Sequence, residues 1–273
     1  MEITFAVSGV TAPLWLPPLA AAIISFFTSM IGISGAFLLM PFQMSVLGCA
    51  GPSASATNLV YNLVAIPGPA WRYRHEGRLW WRLALVISLG GAPGTLLGVW
   101  VRTHHLSDRN SFQLFAALVL GYLGLRLLAD ILGRRTQTAD NDAVRPAFSV
   151  PLMAALSFLV GVVGTIYGIG GGSFMVPLCV TVFRLPIHAV AGATLTATLL
   201  TSLFALAAYQ WLPSPVLAQP DWPLGLLFGL GGFVGGLAGA RYQRLVSQRV
   251  LKAVLAALLV GLALRYGMSY ATA

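Results

Sequence analysis

The chain has 273 residues, of which 58% are hydrophobic and 8% charged, with a mean hydropathy of +0.83. A soluble domain carries roughly 25% charged residues, so a soluble enzyme is excluded. The net charge of +9, from 16 Lys+Arg against 7 Asp+Glu, is read as orienting basic loops of a membrane protein, not as a nucleic-acid footprint.

The opening Met1-Glu2-Ile3-Thr4 lacks the basic start of a cleavable signal, so the first apolar segment is expected to stay in the mature protein. Five apolar segments follow, at about 14–31, 35–48, 53–71, 81–101 and 111–132. A polar stretch from Gly133 to Ala147 separates them from five more, at about 148–167, 172–183, 188–211, 222–240 and 250–270. The second segment of each half is too short for a comfortable span, which needs about 20 apolar residues. It could instead form a re-entrant hairpin with the first. The domains are read as a first membrane repeat over 1–135, a polar cytoplasmic linker over 136–147 and a second membrane repeat over 148–273.

The two halves resemble each other block by block. Gly32-Ile33-Ser34-Gly35 with Pro41 matches Gly168-Ile169-Gly170-Gly171 with Pro177, 136 residues on. Ala56-Thr57 matches Ala193-Thr194 at an offset of 137. Gly90, Gly91, Gly94 and Gly98 match Gly231, Gly232, Gly235 and Gly239 at 141, and Phe115-Ala116-Ala117-Leu118 matches Leu255-Ala256-Ala257-Leu258 at 140.

Charge then orients the segments. With the linker inside, the inner loops hold Arg72, Arg74, Arg78, Arg82, Arg126, Arg134, Arg135, Arg145, Arg184, Arg241, Arg244, Arg249 and Lys252. The outer side holds only Arg102, Arg109 and Arg265, as the positive-inside rule requires. Both termini are therefore expected outside. The loop carrying Arg72, Arg74 and Arg78 falls inside, whereas its counterpart from Trp211 to Pro220 has no Lys or Arg and falls outside. The fold class expected is an all-α polytopic membrane protein of two inverted-topology repeats, an arrangement common in secondary transporters.

The candidate site lies at the duplicated glycines. Tyr167-Gly168-Ile169-Gly170-Gly171-Gly172-Ser173 and its weaker partner around Gly32, Ser34 and Gly35 should break their helices. Broken backbone at membrane depth must be buried or face water. It frees N–H groups at the next half-helix, which favour anions. Close helix packing is the competing explanation. Asn58 and Asn62, four apart on one helix face, and Thr194, Thr198 and Thr201 on another, offer neutral polar groups. Hydrogen bonding between helices would account for them equally well. The glycines from Gly90 to Gly98 and from Gly231 to Gly239 read as packing, and Trp71, Trp80, Trp81, Trp100, Trp211 and Trp222 as an interfacial belt. Cys49 and Cys179 read as small buried apolar residues.

No Asp or Glu falls well inside a segment, which argues against an intramembrane carboxylate relay. No catalytic residues, metal ligands or cofactor site are found, so the chain is not read as an enzyme.

At these duplicated breaks the chain resembles the TauE/SafE sulfite exporter family, also called TSUP. The residues that carry the likeness are Gly164-Thr165-Ile166-Tyr167-Gly168-Ile169-Gly170-Gly171-Gly172-Ser173 with Pro177, followed by Ala191-Gly192-Ala193-Thr194-Leu195-Thr196. In the first half they are Gly32-Ile33-Ser34-Gly35-Ala36 with Pro41, then Ala54-Ser55-Ala56-Thr57-Asn58, where Ser34 and Ala36 stand in place of motif glycines. The resemblance covers about 14–270. It implies a secondary transporter or facilitator of the bacterial inner membrane that exports a small sulfur-containing anion such as sulfite or an organosulfonate. Import or channelling of another small solute, and a non-transporting assembly role, are the alternatives. Gly32, Ser34, Gly35, Asn58, Asn62, Gly168, Gly170, Gly171, Gly172, Ser173, Thr194 and Thr198 are the expected substrate-binding residues. The expected partners are the anion and the lipid bilayer, with no nucleic acid; a homo-oligomer is an open arrangement. Export needs no carboxylate relay, because each negative charge moving outward gains ~2.3 kcal/mol per 100 mV.

Overall fold

The structure is a computed structural model that describes residues 2–30, 34–77, 79–132, 148–172, 174–183, 185, 187–242 and 248–272. The polar linker of the sequence reading, 136–147, lies outside the described residues. A short antiparallel hairpin, β1 (Glu2–Thr4) and β2 (Thr11–Pro13), precedes the helices. The first half then contains α1 (Leu16–Met30), α2 (Ala36–Ser45), α3 (Pro52–Ala65), α4 (Pro67–His75), α5 (Trp81–His104) and α6 (Arg109–Leu132). The second contains α7 (Val150–Tyr167), α8 (Met175–Thr181), α9 (Ile187–Trp211), α10 (Trp222–Tyr242) and α11 (Gln248–Ala271).

Among the described residues six helices, α5, α6, α7, α9, α10 and α11, are long and apolar enough to cross a membrane. Their outward residues include Leu89, Leu118, Leu125, Leu230, Val234 and Leu264, all more than half exposed. An apolar exterior of this extent needs a lipid solvent. The fold is an all-α polytopic membrane protein.

Two features depart from the segments read in the sequence. The third segment, expected to run unbroken over 53–71, is divided into α3 and α4. Pro67 lacks a backbone N–H and crowds the preceding turn; the Ile66 N–H still reaches Asn62 O at 3.1 Å and Ala70 resumes bonding to Ile66 O at 3.0 Å. The hairpin is the other. Asp221 at the start of α10 holds its turn by accepting the Val7 N–H, the Ser8 N–H and the Ser8 hydroxyl at 3.2, 3.0 and 2.9 Å.

The glycine rows set the helix packing. Gly90, Gly94 and Gly98 of α5 sit against the backbone of Ala154, Phe158 and Val162 of α7. Gly231, Gly235 and Gly239 of α10 sit in the same way against Pro18, Ala22 and Phe26 of α1. Both pairs run parallel, and their contacts are related by the offsets that relate the sequence blocks. A Cβ at these glycines would meet backbone, so the small residue is what lets the helices approach. In contrast, α6 and α11 run antiparallel, with Gly121 beside Ala263 and Gly124 beside Val260. Helix α5 of the first half thus packs along α7, the first helix of the second, and α10 of the second along α1, the first helix of the first.

Candidate functional site

Helix α7 ends where the sequence turns to glycine. Gly168 and Gly170 have φ of 83° and 75°, a left-handed backbone that costs other L-residues about 1–2 kcal/mol. The Ile169 and Gly170 N–H groups both return to Gly164 O, at 2.8 and 3.2 Å. The next N–H, of Gly171, donates to Thr201 Oγ1 at 3.0 Å. Gly172 packs so closely on α9 that a Cβ there would run into Thr194 O and the Thr198 backbone. The threonine face of α9 is therefore the seat of this break. In the first half, Ser34 Oγ accepts the Ala36 N–H at 3.3 Å, and Gly35 lies over the Ser25–Tyr61 hydroxyl pair, whose oxygens are 2.8 Å apart.

Helix α3 ties the two breaks together. Its residues Ser55, Asn58 and Asn62 share one face. Ser55 Oγ donates to Ile166 O at 2.9 Å, Asn58 Nδ2 to Ala36 O at 2.9 Å, and Asn62 Nδ2 to Ile169 O at 3.1 Å and Ser202 Oγ at 3.2 Å. Tyr167 closes the circuit, donating its hydroxyl to Phe37 O at 3.0 Å. All four side chains are buried. Opposite the donating nitrogens, Asn58 Oδ1 and Asn62 Oδ1 have no hydrogen-bond partner, and neither amide atom of buried Gln43 has one. The amide oxygens among these are suited to accept from an O–H or an N–H or to meet a cation, and Gln43 Nε2 is suited to donate.

Of the residues singled out in the sequence, Ser34, Gly35, Asn58, Asn62, Gly168, Gly170, Gly171, Gly172, Thr194 and Thr198 come together here. Gly32 and Ser173 lie outside the described residues. Thr194 and Thr198 Oγ1 bond back to carbonyls of their own helix, Val190 at 3.1 Å and Thr194 at 2.8 Å. Trp80, read as interfacial, is instead buried against Phe148 at 5.5 Å between ring centroids. Both cysteines are free and buried.

Arg102 is the residue that sequence reasoning missed. Counted as an outer-loop charge, it lies in the last turn of α5 with none of its surface exposed. The signal was in the spacing: Gly90, Gly94, Gly98 and Arg102 form one i, i+4 row, and that row faces the protein. Arg102 donates from Nε to Ser55 Oγ at 3.0 Å, from Nη2 to Ala50 O at 2.6 Å and from Nη1 to Leu106 O. Its guanidinium lies 3.7 Å from the centroid of the Phe112 ring.

A bundle of membrane-length apolar helices enclosing two helix breaks tied by buried amides defines a polytopic membrane transporter. The chain belongs to the sulfite exporter TauE/SafE family, whose profile matches residues 18–266. It is 26% identical to a "Probable membrane transporter protein" of Xylella fastidiosa (strain 9a5c) over 228 residues, 81% of each chain. It is 23% identical to "Probable membrane transporter protein YunE" of Bacillus subtilis (strain 168), over 66% of this chain and 67% of that one. It is also 24% identical to "Probable membrane transporter protein ORF9" of a Sinorhizobium species, over 90% and 89% of the two chains. No solved structure matches the chain.

Proposed function

We propose that this transporter moves a small sulfur-containing anion, of the sulfite or organosulfonate class, outward across the bacterial inner membrane. The substrate is held between the two breaks by Gly32, Ser34, Gly35, Asn58, Asn62, Gly168, Gly170, Gly171, Gly172, Ser173, Thr194 and Thr198. In this reading the halves over 1–135 and 148–273 are inverted repeats joined by a cytoplasmic linker, with both termini outside. Support for the inversion comes from direction. Counterparts α6 and α11 run antiparallel, as do α3 and α9, where Asn62 meets Ser202 and Ser55 neighbours Tyr209.

The observation that carries the site is the pair of buried amides reaching one break each. Displacing either break would release one of them, so substrate passage and helix movement are coupled through α3. Their unpartnered oxygens favour a substrate that brings a donor, such as the O–H of hydrogensulfite or the ammonium of an amino-sulfonate. The break N–H groups of residues 168–171 are turned onto protein acceptors. Substrate would engage them when the breaks part. No catalysis is part of this reading.

Flux in proteoliposomes loaded with sulfite, taurine, sulfoacetate, sulfate or phosphate tests it. Efflux of a sulfur anion that Asn58→Leu and Gly170→Val abolish, both variants being folded and inserted, is the expected result. Unchanged flux in both would remove the site assignment.

A further inference from the structure

We propose that Arg102 and Tyr209 form a separate oxyanion station behind the second break, built on the one wholly buried positive charge among the described residues. This rests on the reading of the chain as an anion transporter. It adds residues that the glycine motif does not contain.

Burying an ion costs several kcal/mol unless a counter-charge offsets it. Arg102 is wholly buried, and among the described residues it makes no ion pair. Its three hydrogen bonds go to neutral oxygens, those of Ser55, Ala50 and Leu106, and one guanidinium face is covered by the Phe112 ring. The titratable groups that feel its charge are Tyr209, Cys49 and Asp108. Of these only Asp108 is a carboxylate; it is exposed and already accepts the Ser111 N–H at 2.8 Å. A guanidinium has five N–H groups, so two remain for a ligand.

Tyr209 supplies the second, independent observation. It comes from α9 in the other half, its side chain is buried, and its hydroxyl lies beside Arg102 and Ser55 without a hydrogen bond of ordinary geometry. A second orphan hydroxyl, Thr165 Oγ1, lies on α7 where that residue packs against Gly98, one turn before Arg102. Buried hydroxyls ordinarily have partners. One beside the guanidinium and one a turn away along α5 offer donors to a small oxyanion, and two oxygens of a sulfite or sulfonate head suit the two free N–H groups. The station also communicates with the break. Ser55 Oγ accepts the Arg102 Nε–H and donates its own O–H to Ile166 O, two residues before Gly168. An anion drawing Arg102 away would loosen the hydroxyl that anchors the end of α7.

The test is a titration of the purified full-length protein with sulfite, taurine, sulfate, phosphate and chloride, read by thermal stability, paired with flux in proteoliposomes. Tyr209→Phe removes a hydroxyl that has no hydrogen bond of ordinary geometry, so the ligand-free melting temperature should change little. The apparent Kd for the best anion should rise about tenfold, which is about 1.4 kcal/mol. Arg102→Gln should lose anion stabilisation and flux, and Arg102→Lys should keep part of both. If Arg102→Gln fails to fold, Tyr209→Phe and Thr165→Val carry the test. A sulfur anion that stabilises wild type, Tyr209→Phe and Thr165→Val equally, with equal flux, overturns the station and leaves the transport reading standing. A response to phosphate or chloride alone that these variants weaken supports the station and overturns the sulfur-anion reading. A wild type indifferent to every anion overturns both.

Discussion

Asn58 and Asn62 lie one turn apart on α3 and hold opposite halves of the molecule. Asn58 donates to Ala36 O at 2.9 Å and Asn62 to Ile169 O at 3.1 Å. Replacing either by leucine leaves a buried carbonyl without its donor, at about 1–3 kcal/mol. Asn62 also donates to Ser202, so Asn62→Leu should melt lower than Asn58→Leu in detergent. Flux should fall at least tenfold in both. A reversed melting order would mean that the Ser202 bond contributes nothing.

Neighbouring glycines of α10 should behave in opposite ways. A Cβ on Gly235 would overlap Ala22 O of α1, whereas one on Gly236 meets nothing within 4 Å. Gly235→Ala should destabilise by about 1–3 kcal/mol through overpacking. Gly236→Ala should gain up to about 1 kcal/mol from helix propensity. Thermal unfolding of the two variants checks this, and similar shifts would contradict the α1–α10 register.

Accessible cysteines test the opposed directions of the halves. Trp71 and Trp211 are 67% and 81% exposed, while both native cysteines are buried. A membrane-impermeant maleimide on intact cells should label Trp211→Cys and spare Trp71→Cys until the cells are opened. Labelling of both from one side would refute the inverted arrangement.

Asp108 makes the start of α6 sensitive to acid. Its Oδ2 accepts the Ser111 N–H at 2.8 Å, and this bond holds the carboxyl below its ordinary range. A depressed folded value means that the stabilisation is present above the unfolded pKa of about 3.9. It is lost as pH falls through the folded value. Asp108→Ala should cost about 0.5–1 kcal/mol at pH 7. Its deficit against wild type should shrink below about pH 4, and a deficit independent of pH would exclude the charged cap.

The N-terminal hairpin depends on one carboxylate. Asp221 Oδ2 accepts three donors from Val7 and Ser8, and its Oδ1 accepts the Leu224 N–H at 3.3 Å. Asp221→Ala should raise amide exchange at Val7 and Ser8 well before the bundle melts. Unchanged protection there would show that β1 and β2 hold without it.

Much of this architecture was legible in the chain because a membrane simplifies the code. Apolar length alone locates the spans, and the glycine rows mark where helices touch. Repeated blocks at nearly constant offset anticipated that contacts would recur in both halves, as Gly94 on Phe158 and Gly235 on Ala22 do. The left-handed turns at Gly168 and Gly170 were foreseeable from residue type, since only glycine adopts them cheaply. What no local pattern carried was partnership. Ser55, Asn58 and Asn62 could have bonded to any helix; tertiary packing alone sent them to two different breaks. The same holds for Arg102. A basic residue near a helix end reads as a solvated charge, because charge counting ignores which way a helix face turns. Packing α5 against α7 through its glycine row turned that face inward, and with it a guanidinium whose neighbours come from parts of the chain about 50 and 100 residues away.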